Sequence, residues 1–161
     1  IWSRAPEKVL ATRLGWCDTH PETAAALLRA LFRAGRWLAL PENAATAAEI
    51  LTRPSRVEVP ADVVERALIG RLVTDASGHD RAVPGFQTFG QGGAMRPLGA
   101  QAGWIGTELA RRFGLDPDRA RLQAQTAFRT DLHDRLLGAL WSETGTAQPI
   151  PDLGRFAPVQ I

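Results

Sequence analysis

Apolar residues recur at helical spacing between Pro21 and Leu40, and this stretch is the clearest structural element in the chain. One apolar stripe is formed by Leu27, Leu28, Leu31, Gly35 and Leu38. Such a period is typical of an amphipathic helix. Thr19 is a candidate N-cap, and Pro41 ends the helix because proline lacks an N–H and clashes with the preceding turn. The pattern therefore predicts a helix over residues 21–40.

Five further segments show shorter helical periods, which begin at capping residues or prolines and end before glycine or proline. The predicted helices cover residues 43–52, 61–69, 98–113, 117–128 and 131–141. Gly70 and Gly114 are expected to end two of them, because glycine accepts the conformation that closes a helix. In the helix over residues 98–113, one side is expected to pack inward through Trp104, Ile105, Leu109 and Phe113.

The remaining segments lack a helical period. Val9–Ala11 is a short apolar run and predicts a brief buried strand. Residues 71–97 are rich in Gly, Pro, Asp and Ser and predict a long loop, with short extended pieces at Leu72–Thr74 and Phe86–Phe89. A loop of this length is unusual in a compact domain, which favours a function or packing against further protein. Residues 142–161 predict a Pro-containing tail that wraps the surface or frays.

Composition narrows the class of protein without identifying it. The chain has 161 residues, 45% of them hydrophobic and 22% charged, as in an ordinary globular domain. Its net charge is only +2, so a nucleic-acid partner is not expected. No apolar run has the length of a membrane span. Because the first residue is isoleucine and no secretory leader follows, we expect the chain to be a piece of a longer protein.

Residues that usually carry chemistry are sparse. The three histidines, His20, His79 and His133, lie far apart and have no partner at a usual metal-ligand spacing, so no metal site is predicted. His133 and Asp134 are expected to form a solvated pair on a helix. Cys17 is expected to be a structural thiol, since no neighbouring histidine would lower its pKa. The GFQTFGQGG stretch is interpreted as a series of turns rather than a phosphate-binding loop.

Lys8 is the only lysine in a chain that otherwise uses arginine for its positive charges. It lies in Pro6–Val9, where a loop is predicted to become a strand. A compact ammonium group at a strand end suits the binding of a small oxyanion. The alternative is an exposed lysine that pairs with Glu7 or has no role.

Several short motifs occur in the same order as in a known family. These motifs are PEKV at residues 6–9, AEILTRP at 48–54, VPGF at 83–86, WIGTEL at 104–109 and FRTDL at 128–132. Together they resemble nitrate/bicarbonate-type substrate-binding proteins of ABC importers, and the related cytoplasmic nitrate sensors. The resemblance extends over about residues 6–140, although the loop FGQGGAMR at 89–96 departs from the family's pattern.

This resemblance implies an α/β fold in which the chain is the C-terminal part of a periplasmic-binding-protein-like type II clamshell. The segment itself is expected to be mostly α-helical, with one or two short strands. In the nitrate-binding branch the lysine of P-E-K-V faces the anion, and Lys8 occupies that position here. No cofactor is implied, although a bicarbonate-binding member could recruit a calcium ion beside its anion.

The predicted function is non-catalytic binding of a small oxyanion, most simply nitrate or nitrite, for delivery to the membrane permease of an ABC importer. The resemblance places such a protein in the periplasm or on the outer face of the membrane. One alternative is a cytoplasmic nitrate sensor that controls a regulatory protein, and another is a helical interaction domain with no small ligand. An enzyme of the thiamine-precursor-synthesis type is disfavoured, because the required His and Cys constellations are missing.

Overall fold

The structure is a computed structural model that describes residues 8–90 and 94–143. The helices are α1 (Trp16–Thr19), α2 (Pro21–Leu38), α3 (Ala44–Leu51), α4 (Ala61–Ile69), α5 (Gly99–Phe113), α6 (Pro117–Ala127) and α7 (Thr130–Glu143). A 3-10 helix covers Pro41–Asn43, and two strands cover Arg71–Val73 (β1) and Asp80–Ala82 (β2). The described residues are thus mostly helical with one small sheet, in agreement with the predicted α/β class.

The chain divides into two compact units, and the boundary falls within α2, after Ala30. The first unit contains the described residues up to Ala30 and those from Arg96 onward, and the second contains the described residues of Leu31–Met95. No helix in the described part of the chain is both long and apolar enough to cross a membrane.

Helices α5 and α6 of the first unit pack closely because α5 presents glycine at the contact. A Cβ atom added at Gly106 would lie 2.6 Å from Cβ of Ala124 and 2.7 Å from the carbonyl oxygen of Ala120. A Cβ atom at Gly103 would lie 3.0 Å from the side-chain amide of Gln125. A side chain at Gly106 would push the helices apart, because a backbone oxygen lies in its way, whereas one at Gly103 would require the Gln125 side chain to shift.

The prediction that α5 packs through its large apolar residues is wrong in part. The side chains of Ile105, Leu109 and Phe113 are 36%, 53% and 70% exposed. The buried positions are instead the small ones, Ala102, Gly103, Gly106 and Ala110. Periodicity alone identified an apolar face, but the close contact with α6 selects the face on which side chains are smallest.

The turn between α5 and α6 is specified locally. Gly114 ends α5 in the left-handed conformation, with φ 65°, as expected from the sequence. Asp116 is the N-cap of α6: its carboxylate accepts hydrogen bonds from the backbone N–H groups of Asp118 and Arg119 at 3.0 and 3.1 Å.

Thr19 does not cap α2 as predicted, because it is the last residue of α1 and its hydroxyl donates to carbonyl groups within that turn.

The second unit is built from the C-terminal part of α2, α3, α4 and the β-hairpin. Gly70 joins α4 to β1 with φ 69°, and its carbonyl accepts a hydrogen bond of 2.7 Å from the N–H of Val83, just after β2. The strands are antiparallel, with Arg71 opposite Ala82 and Val73 opposite Asp80. Helix α3 contributes Ala44, Ala47 and Ala48 to the buried core.

The loop after the hairpin contacts α2 directly at Gly35. A Cβ atom added at Gly35 would lie 2.5 Å from Sδ of Met95, and one added at Gly90 would lie 3.0 Å from the backbone nitrogen of Arg36. Glycine is therefore favoured at Gly90, whose φ is 62° and whose added Cβ would meet backbone atoms, whereas a side chain at Gly35 would have to displace the flexible end of Met95. Gly35 was expected on the apolar stripe of α2, and the structure shows that it is the place where the loop meets the helix backbone.

The predicted strand at Val9–Ala11 is absent. Residues 8–13 have no regular structure, and Val9 and Leu10 are 63% and 50% exposed. A strand needs a neighbour for its hydrogen bonds, and the sheet within the described residues contains only β1 and β2. The extended piece predicted at Phe86–Phe89 is also wrong, since Phe86 and Gln87 form a bend, Thr88 and Phe89 have no regular structure, and the second strand is Asp80–Ala82.

Helix ends differ slightly from the predicted ones. Helix α2 ends at Leu38 rather than at residue 40, because the 3-10 helix begins at Pro41 and the Asn43 side-chain amide donates to the carbonyl of Trp37 at 2.8 Å. Helix α7 extends over Thr130–Glu143, beyond the predicted residues 131–141. The predicted tail lies outside the described residues from 144 onward.

The close contact of α5 with α6 predicts that Gly106→Ala lowers the free energy of unfolding by about 1–3 kcal/mol, because the new methyl group cannot be accommodated without moving a helix. Gly138→Ala is the matched control, since a Cβ atom there has nothing within 4 Å. That substitution should raise helix stability by about 0.5–1 kcal/mol. Urea denaturation followed by tryptophan fluorescence measures both values. Equal effects of the two substitutions would contradict the close contact.

Candidate anion-binding site

Lys8 is exposed and belongs to the irregular segment of residues 8–13 that leads into α1. The segment is held at its end by the turn at Gly15, whose φ is 77°, and by a hydrogen bond from the N–H of Trp16 to the carbonyl of Arg13. Lys8 therefore does not project from a strand end, as the sequence had suggested. Its assignment as an anion contact remains a prediction.

Helix α1 is a single turn that is stabilised by its own side chains. The rings of Trp16 and His20 stack with centroids 5.3 Å apart and planes 14° apart. The Thr19 hydroxyl lies 2.9 Å from Nδ1 of His20. Cys17 is half-buried, with Sγ 3.6 Å from the hydroxyl oxygen of Thr12, which agrees with a structural thiol.

A charged pair at the start of α7 belongs to the same unit as Lys8. The Arg129 guanidinium donates two hydrogen bonds of 2.9 Å to the two carboxylate oxygens of Asp131. These bonds lower the pKa of Asp131 to about 2. They also raise the pKa of Arg129, to which the negative charge of Asp18 in α1 contributes further. Arg129 is thus satisfied within the chain, and its charge is largely compensated by carboxylates.

A second charged cluster joins the segment before α5 to α7. The Arg96 guanidinium donates to both carboxylate oxygens of Asp134, at 2.8 and 2.5 Å, and Nδ1 of His133 lies 3.0 Å from the Asp134 carboxylate. The hydrogen bonds from Arg96 are the main cause that lowers the pKa of Asp134 to about 2. His133 is 4% exposed, so the expected solvated pair is wrong: the imidazole is buried.

The sequence did not predict the pair of Arg129 with Asp131, which were indicated only as part of the FRTDL motif and of a helix start. It predicted the pair of His133 with Asp134 but not the contact with Arg96, which was assigned to the loop. The short spacing between Arg129 and Asp131 at the start of a helix could have indicated the first ion pair. The contact of Arg96 with Asp134 spans 38 positions, and no local pattern indicates it.

The second unit contains a cavity of about 190 Å³. It lies between the ends of α2 and α4, the start of α3 and the loop at residues 85–89, and its polar side chains are Gln87 and Thr88. No charged residue lines it. An anion in this cavity would rely on neutral donors alone, so the cavity does not supply the compensating charge that a small oxyanion needs.

Metal ligands are not gathered in the described residues. Among residues 8–90 and 94–143, no group of three or more His, Cys, Asp or Glu side chains could hold a metal ion. Calcium binding beside a bicarbonate ion remains an expectation drawn from the family resemblance.

Comparisons with known proteins identify the class to which the chain is related. Residues 1–52 match the model of the NMT1-like family. The bicarbonate-binding protein CmpA of Synechococcus elongatus is 30% identical over 160 residues, which cover 94% of this chain and 34% of CmpA. The nitrate/nitrite binding protein NrtA of Synechocystis is 34% identical over 68 residues, 42% of this chain and 15% of NrtA.

The chain is also similar to part of a transporter component that is named as an ATP-binding protein. The nitrate import ATP-binding protein NrtC of Synechococcus elongatus is 28% identical over 142 residues, 87% of this chain and 21% of NrtC. The chain spans only about a third of the length of CmpA. No solved structure matches the chain significantly.

The resemblance read from the short motifs is therefore confirmed: the chain is related to the nitrate/bicarbonate-type substrate-binding proteins of ABC importers. CmpA and NrtA are named as binding proteins rather than as enzymes, in agreement with the prediction that this chain is not an enzyme.

The contact between Arg96 and Asp134 predicts a pH-dependent contribution to stability. Because the hydrogen bonds from Arg96 lower the pKa of Asp134 from the ordinary 3.8 to about 2, its contribution to stability is present above pH 3.8 and is lost as the pH falls toward 2. Asp134→Asn should lower the free energy of unfolding at pH 7 by about 1 kcal/mol, a value reduced for partial exposure. Urea denaturation at several pH values should show this difference shrinking as the pH falls from about 4 toward 2.

Asp118→Asn is the matched control for this prediction. Its carboxylate is 93% exposed and lies 3.9 Å from the guanidinium of Arg121, so little is lost on substitution. A pH-independent effect of Asp134→Asn, or one no larger than that of the control, would contradict the role given to the cluster.

Proposed function

We propose that the protein is a non-catalytic binding protein for a small inorganic oxyanion, nitrate or nitrite, which it delivers to an ABC importer. One observation carries the proposal: the match to the bicarbonate-binding protein CmpA runs over 94% of this chain at 30% identity. The match to the nitrate/nitrite binding protein NrtA supports the same class of ligand. Both relatives are named for the binding of a singly charged, planar oxyanion.

Lys8 is the basis for choosing nitrate or nitrite over bicarbonate. A fixed ammonium group compensates one negative charge and donates hydrogen bonds to oxygen. An anion that meets such a group has no need of a metal ion for charge balance. Bicarbonate, together with calcium, is the other member of the ligand class, and the experiment below separates the two.

The proposed arrangement is a two-lobed clamshell of the type II periplasmic-binding class, to which this chain contributes the C-terminal part. The protein would close on the anion, and the permease of the importer would recognise the closed form. Such a protein acts in the periplasm or at the outer face of the membrane. The exposed Val9 and Leu10 beside Lys8 support this arrangement, because a strand that pairs with a further lobe would cover them.

The proposal is tested by calorimetric titration of the full-length protein with nitrate, nitrite, bicarbonate and sulfate, each with and without calcium. We expect saturable heat with nitrate or nitrite that does not depend on calcium. Binding of bicarbonate only in the presence of calcium would move the protein to the bicarbonate branch. The absence of heat with every anion would contradict anion binding.

Replacement of Lys8 by alanine is expected to weaken nitrate binding by tenfold or more in the same titration. A charge-assisted hydrogen bond contributes about 1.5–3 kcal/mol, which corresponds to roughly one to two powers of ten in Kd. Arg13→Ala is the matched control, since Arg13 is an exposed cation of the same segment. An unchanged affinity of the Lys8→Ala protein would exclude Lys8 from the site.

A second candidate function follows from the match to NrtC, which is named as an ATP-binding protein of nitrate import. In that case the chain would be an anion-sensing region attached to an ATP-binding domain, rather than a delivery protein. The two candidates predict different native polypeptides. Peptide mass spectrometry of the native protein would detect a phosphate-binding-loop peptide in the second case and none in the first.

A further inference from the structure

The side chain of Met95 lies in a gap that glycine leaves on helix α2. A Cβ atom added at Gly35 would lie 2.5 Å from Sδ of Met95 and 3.3 Å from its methyl carbon. The thioether therefore occupies the space that a side chain at position 35 would take. Because Gly35 lies within α2, the sulfur comes close to the backbone of the helix.

The backbone at Gly90 meets the same turn of α2. A Cβ atom added at Gly90 would lie 3.0 Å from the backbone nitrogen of Arg36 and 3.0 Å from the carbonyl carbon of Gly35. The backbone nitrogen of Gly90 would in turn lie 3.5 Å from a Cβ atom added at Gly35. Gly90 and Met95 thus rest together on Gly35 and Arg36, and we call these four residues the α2 contact.

The hydrogen-bonding groups of α2 at this contact are used within the helix. The carbonyl oxygen of Gly35 accepts a hydrogen bond of 3.0 Å from the N–H of Ala39. The N–H groups inside an α-helix donate to the carbonyl oxygen four residues earlier. A thioether fits such a surface because it is largely apolar and needs no partner. A strongly polar group in the same place would lose water without gaining a hydrogen bond from the helix backbone.

Met95 is half-buried, so the residue is packed and yet reachable from solvent. A peroxide oxidises a thioether by transferring one oxygen atom to the sulfur. The S–O bond forms as the O–O bond breaks, the sulfur loses two electrons, and the second oxygen leaves as water. The product, methionine sulfoxide, is polar and accepts hydrogen bonds through its oxygen. Met95 is the only methionine in the sequence, so one such product is expected.

We propose that Met95 is an oxidation site and that its sulfoxide breaks the α2 contact, which releases Gly90 and Met95 from the helix. The new oxygen needs space beside a sulfur that already fills the gap at Gly35, and it gains a partner only by turning toward water. The preceding part of the loop stays anchored, because the N–H of Val83 donates to the carbonyl of Gly70 at 2.7 Å. This oxidation does not depend on the proposed anion binding.

The proposed change is reversible. Methionine sulfoxide reductases, one for each epimer, return the sulfoxide to the thioether. Two thiols supply the electrons and form a disulfide, and the oxygen leaves as water. The α2 contact would therefore open and close with the balance of peroxide and thiol around the protein.

The proposal is tested by limited proteolysis of the full chain before and after treatment with hydrogen peroxide. All samples carry Cys17→Ser, because a thiol also reacts with peroxide. Chymotrypsin cleaves after Phe89, beside the α2 contact, and after Phe113, which ends α5 and is 70% exposed. The second cleavage is the internal reference. Mass spectrometry follows both cleavages and the gain of one oxygen atom at Met95.

We expect oxidation of Met95 to accelerate cleavage after Phe89 at least fivefold and to leave cleavage after Phe113 unchanged. Treatment with both reductases and a thiol should restore the slow rate. Unchanged cleavage after Phe89 in the fully oxidised protein would overturn the proposal. Equal acceleration at the two sites would also overturn it, because general unfolding would then explain the result.

Met95→Leu is the matched control, since leucine has a similar volume and no sulfur. Peroxide should leave cleavage after Phe89 unchanged in this protein. An acceleration as large as that in the Met95 protein would overturn the proposal, because another residue would then be responsible. Oxidation of Met95 more than tenfold slower than that of methionine in a short peptide would overturn it as well, since peroxide would not reach the sulfur.

Discussion

The contact between α5 and α6 determines which surfaces of the first unit are buried. It exists because Gly103 and Gly106 have no side chain where Gln125 and Ala124 approach. Once the small face of α5 is used in this way, its large apolar residues must point elsewhere. The buried positions of this helix are accordingly alanine and glycine, while Leu109 and Phe113 remain exposed. The short distance between α5 and α6 therefore determines which residues of α5 are exposed.

The sequence predicted local elements better than packing. The positions of the helices followed from the spacing of apolar residues and from capping residues such as Asp116 and Gly114, which contact only residues close to them in sequence. The strand at Val9–Ala11 failed because a strand depends on a neighbour, and apolar character does not supply one. The inward face of α5 was misjudged for a related reason: the helix period identifies two candidate faces, and only the partner helix selects between them.

The candidate site shows the same division. The order of five weak motifs was enough to find the correct relatives, because order along a chain is preserved when each motif alone is not distinctive. The contact of Arg96 with Asp134 was out of reach, since it depends on how distant segments meet in space, whereas the pairing of His133 with Asp134 was expected and only its burial was not. For Lys8, the motif predicts a role, whereas the predicted strand end was wrong because a strand depends on a neighbour.

The contact of Met95 with Gly35 has a spectroscopic consequence. Met95 is the only methionine in the sequence, and its methyl carbon would lie 3.3 Å from a Cβ atom added at Gly35. Methyl-labelled methionine would therefore give a single resonance, and that resonance would originate where the loop meets the backbone of α2. Any event that lifts the loop from the helix would change the surroundings of this one methyl group. The Met95 methyl group thus reports on the contact between the loop and α2 within the second unit.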